Sequence, residues 1–226
     1  MELYLVRHGD AARNSPKNFN HVLNCPDPDL TDAGEAHARQ LGQRLAQAPI
    51  QRIYTSDLRR AVHTAEILAE YNPAPVEVRG VLREINMGRL FLSSWEEIER
   101  DMPGYAARWH RHDSDLPYPG GECGADVIRR CMPLINEIVQ NSQDRATDAP
   151  LDHDVQVDRG IAVERVAIVT HGGTIRSLLC AFLGIGPEKR FLFGAPLENC
   201  GLSVVRWDER RRIFLVHSVN DAAHLS

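Results

Sequence analysis

The sequence predicts an α/β fold in which helices cover both faces of a mainly parallel central sheet. Three observations carry this. Short β-rich runs alternate with helical patterns along the chain, as expected of parallel strands joined by crossover helices. The plainest run, Arg165 to Thr170, leads directly into a helical segment at Thr174 to Leu183. The length, 226 residues with 43% hydrophobic, suits a single domain over residues 1–226 with a sizeable core.

The elements follow in order. Glu2 to Val6 is a buried-strand pattern. Residues 10 to 29, with Pro16, Pro26 and Pro28, read as a long loop of the kind that usually serves function. Thr31 is placed to cap a helix carrying Ala36, Leu41 and Leu45. Arg52 to Thr55 is a second strand, and Ser56 or Asp57 caps the helix after it. Val76 to Val78 is a third strand. The segment from about 86 to 120 forms a small helical lid, with two short helices broken at Pro103-Gly104. A helix runs from about Glu122 to Val139, and residues 141 to 160, polar and without period, read as a surface excursion. Leu202 to Trp207 and Ile213 to Ser218 close the fold as a hairpin.

Composition excludes several classes. A formal net charge of -5 argues against a nucleic-acid binder, which needs a cationic face. A local basic pocket is still compatible with it. The five cysteines are scattered and form no C-x-x-C pair, which reads as reduced thiols. Without a basic leader or a membrane-length apolar stretch, the expectation is a cytoplasmic protein with no membrane partner. Oligomeric state, homodimer included, is not written in the sequence.

Two strands end alike, in Arg7-His8-Gly9 and in Thr170-His171-Gly172-Gly173. Ligands in open α/β sheets bind beyond the carboxyl ends of strands, so both histidines fall where a site belongs. The glycines, Gly9 and Gly172 among them, are expected to let a ligand approach the backbone. A single histidine there is usually structural, but two at matching switches point to a site. Arg59 and Arg60 open the helix after the second strand, where a cation opposes the helix dipole unless an anion is bound there. Glu84 stands in a loop after the third strand.

These residue types suit phosphoryl transfer. A neutral imidazole attacks phosphorus, and guanidinium forks hold the phosphate oxygens. A second, charged histidine adds a donor, and a carboxylic acid kept protonated by burial and phosphate charge protonates the leaving oxygen. Losing one such donor costs roughly 3–4 kcal/mol of transition-state stabilisation, so several together stand in for a metal. A metal site built from His110, His112, Asp152, His153 and Asp154 lacks any ligand spacing, and solvated loop residues are the blander reading.

The ordered set resembles the histidine phosphatase superfamily, whose founding members are phosphoglycerate mutases. It comprises Arg7-His8-Gly9, Arg60 within S-D-L-x-R-A-x-x-T-A, Glu84 within L-R-E-I-x-x-G, and His171-Gly172-Gly173, with Leu30 to Gly34 and Pro119-Gly120-Gly121-Glu122. The resemblance implies a phosphoglycerate-mutase-like three-layer α/β/α sandwich and chemistry without metal or other cofactor. It implies a phosphohistidine on His8, a phosphate pocket of Arg7, Arg60 and His171, and Glu84 as proton donor. Asn14 and Gly172 would touch phosphate, with Asn20 a looser candidate. The partner would be a small phosphorylated metabolite. Residues 108–113 are basic but lack the arginine-rich mutase pattern, and the end at Val219 to Leu225 resembles the phosphatase branch, so hydrolysis is read ahead of mutase activity. A non-catalytic binder of phosphorylated ligands or proteins is the remaining reading. It would have no use for the acid.

Overall fold

The computed structural model describes residues 1–12, 19–20, 25–91, 93–147, 163–193 and 196–225. Its central sheet has six strands in the order β5-β4-β6-β1-β7-β8. They are β1 (Glu2–Arg7), β4 (Arg52–Thr55), β5 (Val76–Val78), β6 (Arg165–Thr170), β7 (Leu202–Asp208) and β8 (Ile213–Asp221). The first four in the sheet are parallel, and β7 and β8 add an antiparallel edge.

Period-2 alternation sorts the side chains of the central strands to two faces. Leu3, Leu5, Val166 and Ile168 point to one face and meet α5 (Gly124–Thr147) and α6 (Gly172–Leu183) through Val127, Ile135, Ile175 and Leu178. Tyr4, Val6, Ala167 and Val169 point to the other and meet α1 (Asp32–Leu45) and α2 (Arg59–Tyr71) through Leu41, Ala61 and Leu68. The result is the expected three-layer sandwich.

Thr31 caps α1 as expected, its hydroxyl accepting from Gly34 N at 3.0 Å. The next cap differs from expectation: α2 is entered through Leu58, with no side-chain cap on its N-cap residue. Ser56 and Asp57 are drawn to other partners, described below. The two short helices are α3 (Trp95–Asp101), closed by a Ser94–Glu97 capping box, and α4 (Pro103–Trp109). Trp109 packs against Tyr105, Tyr118 and Phe191, so it is used in packing rather than offered to a partner.

Two loop expectations need correction. The stretch 10–29 contains a short antiparallel pair, β2 (Phe19–Asn20) with β3 (Cys25–Pro26), and an Ala11–Leu30 bridge. Helix α5 does not end near Val139 but continues to Thr147, through a stretch whose mostly polar sequence carries no apolar period. The rest of the expected excursion, from 148, lies outside the described residues up to 162. The five cysteines are free thiols. Among the described residues no helix is long and apolar enough to cross a membrane.

Candidate active site

Strand register builds the site. β1 and β6 pair in parallel with Arg7 opposite Thr170, and His8 N donates onward to Thr170 O at 2.9 Å. The next residues, His8 and His171, therefore leave the sheet side by side, with ring centroids 5.0 Å apart. β4 pairs on the far side of β6, and Ser56 N donates to Val169 O, which sets Ser56 beside His171. The first turn of α2 then delivers Arg60 over both rings.

Arg59 and Arg60 part company here. Arg59 turns outward to anchor the preceding loop, its backbone N–H donating to Asp27 Oδ1 at 2.8 Å and its side chain to Asp29. Arg60 is buried. Its Nε donates to His8 Nε2 at 3.1 Å, Nη1 to Pro26 O at 3.1 Å, and Nη2 to His171 Nδ1 at 3.3 Å. Each of these acceptors is neutral, so a buried guanidinium charge faces the cavity without a bonded carboxylate. Arg7 reaches the Leu197 carbonyl, and its buried Nε has no hydrogen-bond partner among the described residues. An anion would satisfy both.

The tautomers follow from these bonds. His8 Nδ1 lies 2.7 Å from the Gly9 carbonyl, which accepts only, so Nδ1 carries the proton and Nε2 the lone pair. Burial first, then Arg60, pushes His8 well below an ordinary histidine, and the Gly9 carbonyl pulls the other way. His171 accepts from Arg60 on Nδ1, so its Nε2–H donates to Ser56 Oγ at 2.8 Å. Full burial, Arg60 and His8 hold it neutral as well. This corrects the expectation of a charged His171: its Nδ1 acts as an acceptor, so the positive charge of the cradle is carried by the arginines.

Glu84 lines the same cavity but is held differently. Its Oε1 accepts from Ile85 N at 2.8 Å and Thr174 N at 3.1 Å, and its Oε2 from Gly173 N at 3.2 Å, at the start of α6. The expected protonated acid aimed at a substrate is thus found with its oxygens acting as acceptors. These three bonds leave one lone-pair site on Oε2 open for a proton or a substrate. The cavity has a volume of about 520 Å³, several times what a phosphate needs, and is walled further out by Cys25, Pro28, Met87, Phe91 and Asn199.

The other expected contacts divide. Gly172 begins α6 beside Arg7, where an added Cβ would sit 3.8 Å from Arg7 Nε. Gly9 is committed elsewhere: its N–H donates to Thr64 Oγ1 at 3.0 Å, and a Cβ there would strike Gly34 O at 2.6 Å. Its glycine is explained by packing on α1, not by ligand approach. Asn20 donates to Asp27 Oδ2 at 3.3 Å and is not part of the described cavity wall. Asn14 lies outside the described residues. Of the metal rivals, His110 meets Trp95 and Glu99, and His112 stacks on Phe191. Asp152, His153 and Asp154 fall outside the description. Among the described residues no three metal-binding side chains converge.

Several contributors were missed at the sequence level. Ser56 orients His171, and Thr64 ties Gly9 N to Arg60 O. Thr174 Oγ1 holds Arg83 O at 2.7 Å. Ser56 and Thr64 lie within S-D-L-x-R-A-x-x-T-A, where a buried hydroxyl near an arginine was the available signal.

A cradle of two histidines and two arginines at the ends of parallel strands defines a phosphoryl-handling α/β enzyme. The chain belongs to the histidine phosphatase superfamily (branch 1), whose sequence model matches residues 3–151 and 154–221. It is 28% identical to phosphoserine phosphatase 1 of Hydrogenobacter thermophilus over 225 residues, covering 100% of this chain and 94% of that one. It is 32% identical to glucosyl-3-phosphoglycerate phosphatase of Mycolicibacterium vanbaalenii over 186 residues, covering 81% and 74%. A solved mycobacterial glucosyl-3-phosphoglycerate phosphatase with inorganic phosphate superimposes at a TM-score of 0.74 with 26% identity, covering 100% of this chain and 99% of that one. The protein is a phosphatase of this superfamily.

Proposed function

We propose that the protein hydrolyses a small phosphorylated metabolite through a phosphohistidine on His8 Nε2, with Glu84 as proton donor and no metal. The observation that carries this is the His8 tautomer. The Gly9 carbonyl fixes the proton on Nδ1, which leaves the Nε2 lone pair facing Arg60 inside the cationic cradle.

The substrate phosphate displaces the bonds from Arg60 to His8 and His171, Arg7 and Arg60 donate to its oxygens, and His171, protonated on Nδ1 beside the bound anion, donates a further bond. Nε2 attacks phosphorus in line. As the P–O ester bond breaks, Glu84 passes a proton to the leaving oxygen. Water then attacks the phosphohistidine, Glu84 accepts its proton, the N–P bond breaks and inorganic phosphate leaves. The wide outer cavity suits a leaving group larger than a simple alcohol, and the two relatives are named for such esters, phosphoserine and glucosyl-3-phosphoglycerate. Residues 86–120 are read as its cover, since Met87 and Phe91 wall the cavity.

The test is hydrolysis of p-nitrophenyl phosphate in the presence of a chelator, with rapid quench. Turnover and acid-labile protein-bound phosphate are both expected, and His8→Ala should lose both. Steady turnover with no acid-labile phosphate would sink the covalent route. Adding 3-phosphoglycerate and a bisphosphoglycerate primer separates hydrolysis from mutase activity.

A further inference from the structure

We infer that Arg130, with Glu122, is a positioning residue for the proton donor: a guanidinium clamp that fixes the backbone of the Glu84 loop and so sets where its carboxyl points. The inference rests on reading Glu84 as the acid.

The segment from Arg83 to Met87 lies between two short 3-10 turns, Gly80–Leu82 and Gly88–Phe91, and belongs to no strand or helix ladder; Thr174 holds Arg83 O from α6. Arg130, projecting from α5, supplies further donors. Its Nη1 donates to Val81 O, and its Nη2 to Arg83 O at 3.0 Å and Glu84 O at 3.3 Å. The same guanidinium grips Glu122 through Nε to Oε1 at 2.8 Å and Nη2 to Oε2 at 3.1 Å. Glu122 in turn holds the far end of the loop. Its Oε2 accepts from Asn86 N at 2.9 Å and its own N donates to Asn86 O at 2.8 Å. One ion pair therefore fastens the loop on both sides of the acid.

Glycines make the approach feasible. Gly88 has φ +54, and a Cβ there would meet Pro119 O at 2.4 Å; a Cβ on Gly121 would meet Asn86 O at 2.1 Å. The sequence motifs around Glu84 and around Pro119 to Glu122 are thus two halves of one device. Arg130 and Glu122 both line the cavity, yet each is spent on the other and on backbone. A partly buried ion pair adds little net stability because screening and desolvation offset the attraction, whereas a planar fork gives directional placement. What the arrangement supplies is the geometry of Glu84. A loose loop would misplace the acid by the distances that matter for proton transfer.

The test compares an alkyl phosphate, whose alkoxide must be protonated as the P–O bond breaks, with p-nitrophenyl phosphate, whose phenolate leaves unassisted. The variants are Arg130→Met, Arg130→Lys, Glu122→Gln, Glu84→Gln and the Arg130→Met/Glu84→Gln double variant. In Arg130→Met the ratio of kcat/KM for alkyl over aryl phosphate should fall by about 10- to 100-fold, within the range general acids supply. Glu84→Gln should lower the same ratio at least as far, and the Arg130→Met/Glu84→Gln double variant no further. Arg130→Lys, which keeps charge and loses the fork, should restore little of it. Equal loss on both substrates, or a rise in KM with the ratio intact, overturns the clamp and leaves Arg130 a fold brace or a substrate contact. If Arg130→Met does not fold, Glu122→Gln carries the test, with an unchanged ratio overturning the inference. A ratio unmoved in Glu84→Gln sinks instead the assignment of the acid itself.

Discussion

The two halves of the site are built by different means. The phosphate cradle is carried by the sheet: His8, Ser56 and His171 each follow the last residue of a parallel strand, and adjacent registers bring them together. The donor half has no such support. Glu84 sits on a loop held by side chains from α5, α6 and the segment before α5. Sheet register places backbone well without help from any one side chain, whereas a loop is only as precise as its ties. Phosphate binding should therefore tolerate single distant changes better than proton donation does.

The largest expected effect strikes the cradle directly. Arg60→Met removes the one guanidinium that bonds both histidines. Loss of an oxyanion donor costs roughly 10²–10³ in rate, so kcat/KM should fall at least that far on alkyl and aryl phosphates alike. The His8 imidazole should also titrate higher, since Arg60 is the second cause of its depression, after burial. Kinetics and the histidine ring NMR signals report the two together. A fall confined to alkyl phosphates would erase the distinction between the halves.

Gly173→Ala should do the reverse. A Cβ at this position would lie 2.6 Å from Glu84 Oε1 and 2.7 Å from the Ile85 side chain, so the acid must shift while the strand-borne cradle stays. Alanine otherwise suits a helix better than glycine by about 1 kcal/mol. The expected outcome is about a tenfold loss on alkyl phosphates, a smaller loss on p-nitrophenyl phosphate, and vanadate affinity within about threefold of the parent. Weakened vanadate binding equal to the loss in rate would show that the halves are one rigid unit.

The same division governs what could be read from the sequence. His8 and His171 were legible because a strand pattern, a histidine and a glycine are all local features. A cation in a helix's first turn is a local conflict that marks Arg59 and Arg60 alike, and the family pattern singled out Arg60. Glu84 carried little local signal, and its place came from the family pattern around it. Arg130 carried none: an arginine on an amphipathic helix looks solvated until the fold brings the Val81 carbonyl to it. The Gly9 reading named the right residue for the wrong reason, because packing against Gly34 across α1 is not a property of neighbouring sequence. The end of α5 reads as loop in the sequence because residues 140–145 are polar throughout and show no apolar stripe.

The smallest effect concerns stability, and it tests whether the cradle holds its histidines neutral. His8 and His171 both lie well below the ordinary histidine value in the folded protein. Above about pH 6.5 they are uncharged folded or unfolded and contribute no pH dependence. As pH falls below that, the unfolded chain binds protons that the native cradle refuses, so native stability is lost with falling pH, by at most about 1.4 kcal/mol per pH unit for each histidine. The carboxylates held low by arginines, Asp57 and Asp221, act in the same direction but in a more acid window. His224, also lowered, adds a weaker share because it is less buried. Urea unfolding should therefore show a slope that climbs toward two protons as pH falls from about 6.5 to 5, reduced by about one in His171→Asn. Saturating phosphate should flatten it further, because a bound anion favours the protonated rings. A slope that His171→Asn leaves unchanged would mean that His171 is already charged in the native protein, and the cradle would then hold three fixed cations where the hydrogen bonds assign two.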